Sequence, residues 1–309
     1  SYMGMLDVTG PIDSEKRWLY RVIVQGQKLF RFRKADFDGS IAVYPSLTYR
    51  WSPKSSFTIK LEHVQESQRS DDGLSVPFQN VSLAAPYDTV YQQPTDVRAD
   101  KGSTVSTDFT KLLSSGWTLH VSTRTLATHN GQTVYGESVS LFPITSVTPI
   151  LQPRRYRRTI NGLRWNSFDA HTYGTIGRPN FQHTVVFGLS GSNQFFDTAR
   201  SQQSYSGLNG AVSLYNPDLT TPIPEITRPT YTDPKSYTTS LGAYAMDQIK
   251  IAERFRLTVA SRFQRTKGHS SDPSLARPIY THLEFNSTIW QFGVIYDVTN
   301  LLSAYVNWS

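Results

Sequence analysis

Reactive chemistry in this chain must come from nitrogen, oxygen and aromatic side chains, because it has no cysteine. Disulfide frameworks, zinc–thiolate sites and thiol nucleophiles are therefore excluded. Histidine occurs at His63, His120, His129, His171, His183, His269 and His282. No pair has an HExxH or similar spacing, so no metal site is expected. Asp71-Asp72-Gly73 lacks the oxygen-ligand spacing of a calcium loop and reads as a turn. Gly188-Leu189-Ser190-Gly191 is not a G-x-S-x-G nucleophile elbow, and no strand–turn–helix pattern surrounds it. No catalytic residue and no resident cofactor is expected, and the chain is not read as an enzyme.

What the residue types do support is recognition. Three long polar stretches carry aromatic and cationic groups. Gln68–Lys101 holds Phe78, Tyr87, Tyr91 and Arg98. His129–Tyr156 holds Tyr135, Phe142 and a cluster of Arg154, Arg155, Arg157 and Arg158 around Tyr156. Phe195–Tyr237 holds Phe195, Phe196, Tyr205, Tyr215 and Tyr231. Aromatic faces give contact area at low entropic cost, and arginine offers planar donors to carboxylate or hydroxamate oxygens. For each aromatic a packing role competes with ligand contact.

Tight connections near Pro11–Lys16, Pro53–Ser55, Ser114–Gly116, Gly177–Asn180, Ala252–Arg254 and Thr299–Asn300 alternate with longer polar stretches. A soluble sandwich has no reason to put its short turns at one end and its long loops at the other. A transmembrane β-barrel does, with tight turns on the inner side and long loops outside. Phe57, Ile59 and Leu61 alternate with Thr58, Lys60 and Glu62, as Trp117, Leu119 and Val121 do with Thr118, His120 and Ser122. The same period places Trp18, Tyr20, Val22 and Val24 on one face of Trp18–Phe32, and it recurs in Trp290–Asp297 and Leu302–Trp308. Val105–Leu112, Thr159–Tyr173 and His183–Phe196 are further strands, and Tyr237–Ile251 forms a hairpin with Leu257–Arg265. Asp38-Gly39 signals a turn, and Pro45 marks a bent or locally unpaired point within Ile41–Trp51. Tyr244–Phe255 contains good helix formers but reads as strand and turn, because Gly242 and the β-rich Leu257–Phe263 flank it. About twelve strands result, most of them long enough for a tilted crossing of roughly 9–11 residues.

Composition agrees. The chain has 309 residues, 38% of them hydrophobic, and a mean hydropathy of −0.40. No run of about 18 apolar residues exists, which removes membrane-spanning helices but not a barrel, whose alternating strands average out as polar. Aromatics reach 13%, which suits interfacial girdles. The net charge is +7, yet apart from Arg154–Arg158 the basic residues are scattered, and no nucleic-acid partner is expected. Asp247 and Glu253 read as a lumen charge and a turn residue.

Six stretches, in order and covering nearly the whole chain, carry a resemblance: LDVTGPI with LYRVIVQG (Leu6–Gly26), YPSLTYRWSPKSSFTIKLEH (Tyr44–His63), FQHTVVFGLSGS (Phe181–Ser192), SLYNPDL (Ser213–Leu219), LGAYAMDQIKIAERFRLTVASRFQ (Leu241–Gln264) and FGVIYDVTNLLSAYVNWS (Phe292–Ser309). The chain resembles the barrel of TonB-dependent siderophore receptors of Gram-negative outer membranes. The resemblance implies an all-β, antiparallel transmembrane β-barrel of roughly 22 strands, with short periplasmic turns and long extracellular loops. Residues 1–309 would supply about twelve of those strands, as an internal barrel fragment lacking the N-terminal plug and the C-terminal strands.

The function so implied is binding of a ferric siderophore on extracellular loops and its passage through the barrel. The TonB complex would act through the absent plug, and outer-membrane lipid and lipopolysaccharide would surround the wall. In the resembled family aromatics of corresponding loops line the pocket, which makes Phe78, Tyr87, Tyr91, Tyr135, Phe195 and Phe196 the candidate ligand-binding residues. The arginine cluster keeps three readings: a solvated loop base, a contact to lipopolysaccharide phosphates, or attraction of an anionic siderophore. Two other functions compete: a soluble β-sandwich binding or adhesion module, and an outer-membrane barrel enzyme.

Overall fold

Side-chain alternation becomes strand in every long segment. The computed structural model describes all residues except 31, 33–36, 72, 75, 77–79, 94, 114–115, 135–150, 153–154, 205–210, 221–226, 228, 253 and 276–279. The first strands are β1 (Tyr2–Pro11), β2 (Trp18–Phe30), β3 (Phe37–Ser52), β4 (Ser55–Arg69), β5 (Val97–Leu112) and β6 (Thr118–Val134). After the short β7 (Leu151–Gln152) come β8 (Arg155–Arg178) and β9 (Phe181–Ser204). Two more short pieces, β10 (Val212–Ser213) and β11 (Thr230–Thr232), precede β12 (Lys235–Ile251), β13 (Phe255–Ser271), β14 (Tyr280–Thr299) and β15 (Leu302–Trp308).

The long strands form one antiparallel meander, each paired with the next, in a sheet of 13 strands that includes β11 at the edge of β9. β7 and β10 make a separate two-stranded pair. The six tight connections all fall at one end of this meander, and the long stretches fall at the other. At the β8–β9 turn Gly177 has φ +111°, and a Cβ there would run into the Phe181 carbonyl, so glycine is required. Tyr244–Phe255 is strand and turn, as its flanks imply.

Two local expectations change. Asp38 and Gly39 are not a turn: they pair with Leu29 and Lys28 inside β3, because the hairpin reverses earlier. The upper ends of β5, β8 and β9 run well past the apolar segments that marked them, since backbone pairing continues where the side chains turn polar. Pro45 behaves as expected. It pairs across to Val22 in β2, but the ladder to β4 skips from Val43 to Ser46, because proline has no N–H to donate.

A conventional core is absent among the described residues. The buried apolar side chains are few and mostly sit in the loop layer. Large apolar side chains instead cover one face and stay open: Leu189 is 58% exposed and Leu241 57%. On β9 the outward-facing positions run His183, Val185, Phe187, Leu189, Gly191 and Asn193. From His183 to Asn193 is ~26 Å at ~3.4 Å per residue and a tilt of ~40°. That matches the ~25 Å apolar band of an outer-membrane barrel. At the short-turn end the outer face carries a row of aromatics, Trp18, Tyr49, Phe57 and Phe109, directly opposite one another across β2 to β5. The Trp18 and Tyr49 rings meet at 4.6 Å with their planes tilted by 37°, and Trp51 meets Phe109 at 5.6 Å. Such a row suits the edge of a hydrocarbon layer. A soluble sandwich would bury these faces against a second sheet.

Candidate functional site: lumen wall and loop layer

The inner face is largely polar, with a few apolar side chains such as Val186, Met246 and Ile289 among the polar ones. Side chains from β4, β5, β6, β8, β9, β12 and β13 line one concavity of about 610 Å³, including Lys60, Glu62, Asp108, Arg124, Asp169 and Arg262. Charges of opposite sign neighbour each other there: Lys60 Nζ lies 3.0 Å from Asp108, and Arg124 lies 3.5 Å from Glu62. Asp169 is a hub. His171 Nδ1 is 2.7 Å from its Oδ1, and the Tyr244 hydroxyl lies 3.0 and 2.8 Å from its two oxygens. To reach Asp169 the Tyr244 ring must cross β9, and it crosses over Gly188. A Cβ on Gly188 would sit 2.6 Å from Tyr244 Cε1 and nearer still to the ring's far end. Arg262 lies over the same ring, 5.9 Å from its centroid, and donates to Ser190 Oγ at 2.8 Å. This surface can hydrogen-bond and guide a polar body. Among the described lining residues, serines and threonines are the only hydroxyl groups besides Tyr244, and none faces a histidine at hydrogen-bond distance.

Above the rim the loops pack on each other. Ala85, Tyr91, Val212 and Leu214 form a buried cluster with Leu74 against it. Two hydroxyls join residues 70–96 to residues 211–220: Tyr91 donates to the Leu214 carbonyl at 2.8 Å, and Tyr215 to the Leu83 carbonyl at 3.0 Å. Arg69 reaches the Gln92 carbonyl, and Asp96 accepts from the Gln93 amide. The β13–β14 connection is tied in as well. Asp272 accepts from the Ser274 hydroxyl, from the Ser274 amide at 3.1 Å and from the Asp233 amide at 3.1 Å. Those bonds, the Ser274 hydroxyl first, hold its carboxyl below the ordinary carboxylate value.

The candidate aromatics separate. Phe78 and Tyr135 lie outside the described residues. Tyr87 is 72% exposed, with its ring 5.9 Å from that of Phe32. Tyr91 is 0% exposed and serves the interior of the loop layer. Phe195 and Phe196 are not on a loop but near the top of β9, on opposite faces. Phe195 pairs with Tyr237 on the outer side, and Phe196 shares the inner face with Ser190 and Ser192. Arg155, Arg157 and Arg158 are likewise strand residues at the start of β8 rather than a loop base, while Arg154 is outside the described residues. Asp247 is not a lumen charge. Strict alternation turns it away from Tyr244 and Met246, and it meets His183 at 2.7 Å on the outer face.

Residues 32–309 match the TonB-dependent receptor-like β-barrel family. The chain belongs to that family. These barrels are receptors and transporters of Gram-negative outer membranes. Among curated proteins, the metal-pseudopaline receptor CntO of Pseudomonas aeruginosa (strain UCBPP-PA14) is 21% identical over 99% of this chain and 43% of its own length. Among solved structures, the open form of the ferric-catecholate import receptor Fiu from E. coli K12 superposes with a TM-score of 0.83 at 17% identity, covering 99% of this chain and 51% of that one. The siderophore receptor PiuA from Acinetobacter baumannii gives 0.80 at 17% identity, over 99% of this chain and 46% of its own. The chain thus spans about half the length of the TonB-dependent receptors it matches, or less.

Sequence reasoning missed the lumen hub of Asp169, His171, Tyr244 and Arg262. The signal available was weak: the strict alternation in β12 and β13 puts Tyr244 and Arg262 on the polar face. Only the strand register brings them to Asp169.

Proposed function

We propose that this TonB-dependent receptor barrel is part of an outer-membrane transporter for a ferric siderophore or a related metal chelate. It contributes barrel wall and part of the extracellular mouth. The observation that carries the reading is the combination on one sheet of a lipid-sized apolar band outside, a charged lumen wall inside and, among the described residues, a packed loop layer at the rim opposite the short turns. The relatives' names, ferric-catecholate import receptor and metal-pseudopaline receptor, support a metal-chelate cargo.

Recognition begins at the loop layer. Tyr87 offers an open ring and Phe196 an aromatic face on the lumen side, and Phe78 and Tyr135 stay candidates on sequence grounds alone. Tyr91 and its bond to Leu214 give that surface its shape. Passage follows the lumen, whose paired charges can pack against a polar plug that the TonB complex displaces. On the outer face Arg158 and Arg164 stand towards the loop end of β8, where guanidinium groups would suit lipopolysaccharide phosphates, while Arg265 and Lys267 pair with Glu284.

The test is uptake of radiolabelled iron by cells with and without the gene, across hydroxamate, catecholate and citrate-type chelates. Uptake that depends on the gene for one class is the expected result. No gene-dependent uptake of any metal chelate removes the proposal. Tyr87→Ala should weaken chelate binding by about 1–2 kcal/mol, close to tenfold.

A further inference from the structure

Two imidazoles and a carboxylate converge on the inner face near the short-turn rim, away from the loop layer. His120 on β6 and His171 on β8 stand directly opposite each other, with ring centroids 4.9 Å apart. Asp169 precedes His171 by two residues on the same strand, so period-two geometry points both to the same side. One ligand atom from each of the three lies within 4.8 Å of the other two, and no second group of this kind occurs among the described residues.

A plain hydrogen-bonding role accounts for only part of this arrangement. Asp169 and His171 satisfy each other, and Tyr244 holds the carboxylate from the far side. His120 is different. Its Nδ1 is enclosed and has no hydrogen-bond partner, and its Nε2 stands 3.9 Å from Asp108, beyond hydrogen-bond reach. An enclosed ring nitrogen without a partner is costly unless something fills the place. Two imidazoles with one carboxylate suit a divalent first-row transition ion such as Zn²⁺, Co²⁺ or Ni²⁺, and suit Ca²⁺ or Mg²⁺ poorly. The Tyr244 phenol over Gly188 supplies the outer support that metal-binding carboxylates ordinarily have.

We propose that His120, Asp169 and His171 form a site for a divalent transition-metal ion on the lumen wall, bridging β6 and β8. Three protein ligands leave positions open to water, as in exchangeable rather than closed sites. The site depends on strand register alone and does not require the loops to recognise a chelate.

Co²⁺ titration of the full protein, purified from membranes in detergent, tests it through the visible absorption of the bound ion. A saturable band of one ion per chain, displaced by Zn²⁺, is expected. His120→Gln and His171→Gln should each weaken it by more than the roughly 10–100-fold that loss of an outer-shell partner causes. His269→Gln, on the opposite face, should leave it unchanged. A band that is absent, or equally strong in both lumen variants, overturns the proposal. If the variants lose their sheet by circular dichroism, the unaltered protein decides. Zn²⁺ should shield His120 and His171, but not His269, from diethylpyrocarbonate as read by mass spectrometry. Equal labelling with and without Zn²⁺ overturns it.

Discussion

Leu189 and Ser192 lie three residues apart on β9 and face opposite ways, so a charge at each asks whether the two sides of this wall meet different solvents. Leu189 sits near the middle of the stretch bracketed by His183 and Asn193. At ~3.4 Å per residue and ~40° tilt that middle is ~13 Å from either polar boundary, close to the bilayer midplane. An arginine there costs about 2–4 kcal/mol, which lowers the folding constant by roughly 30- to 1,000-fold. Ser192 lines the polar concavity with Ser167, Ser240 and Gln264, where a long cation has water and acceptors. Ser192→Arg should therefore stay within about 1 kcal/mol of the unaltered protein. The assay is equilibrium unfolding by denaturant in lipid vesicles, followed by tryptophan fluorescence and by heat-modifiable migration on gels. Equal losses for Leu189→Arg and Ser192→Arg would refute the two-solvent reading, and so would a larger loss for Ser192→Arg.

Three further outcomes follow from local geometry. Gly188→Ala should push the Tyr244 ring off Asp169 and cost about 1–3 kcal/mol through overpacking, visible in the same unfolding curves; Gly4→Ala, with open space around it, should cost far less. Ala252 adopts φ +53° in the β12–β13 turn, so Ala252→Gly should stabilise by about 1 kcal/mol, seen as slower unfolding. Asp272 has a folded pKa below its unfolded one, so its contribution is complete above the ordinary carboxylate range and is lost as pH falls through the lowered value. Amide exchange at Asp233 and Ser274, corrected for its intrinsic pH dependence, should therefore lose protection in acid below about pH 4, and Asp272→Asn should abolish that pH dependence.

The turns were legible because glycine, proline and charged residues interrupt a period of two, and all six short connections stand where those interruptions fall. Strand lengths were not. Hydrophobic alternation marks only the part of a strand that meets lipid, whereas β8 and β9 continue as paired backbone well above it, carrying Phe195, Phe196 and Arg155–Arg158 with them. Asp38-Gly39 misled for a related reason: a dipeptide suited to a hairpin can also be accommodated in a ladder. The face of Asp247 was recoverable from counting alone, since Tyr244 and Met246 fix the parity of β12. The meeting of His120 with His171 was not recoverable, because it depends on how β6 slides against β8, and sequence spacing carries no record of that offset.

The two hydroxyl clasps, Tyr91 to Leu214 and Tyr215 to Leu83, give the mouth a mechanical property. They cross in opposite directions, each excursion lending a phenol to the other's backbone. A pull on either is therefore shared by both, and grafting one of them alone from a sister receptor would leave a tyrosine or a carbonyl without its mate. Exchange of specificity between such proteins should succeed when the pair travels together.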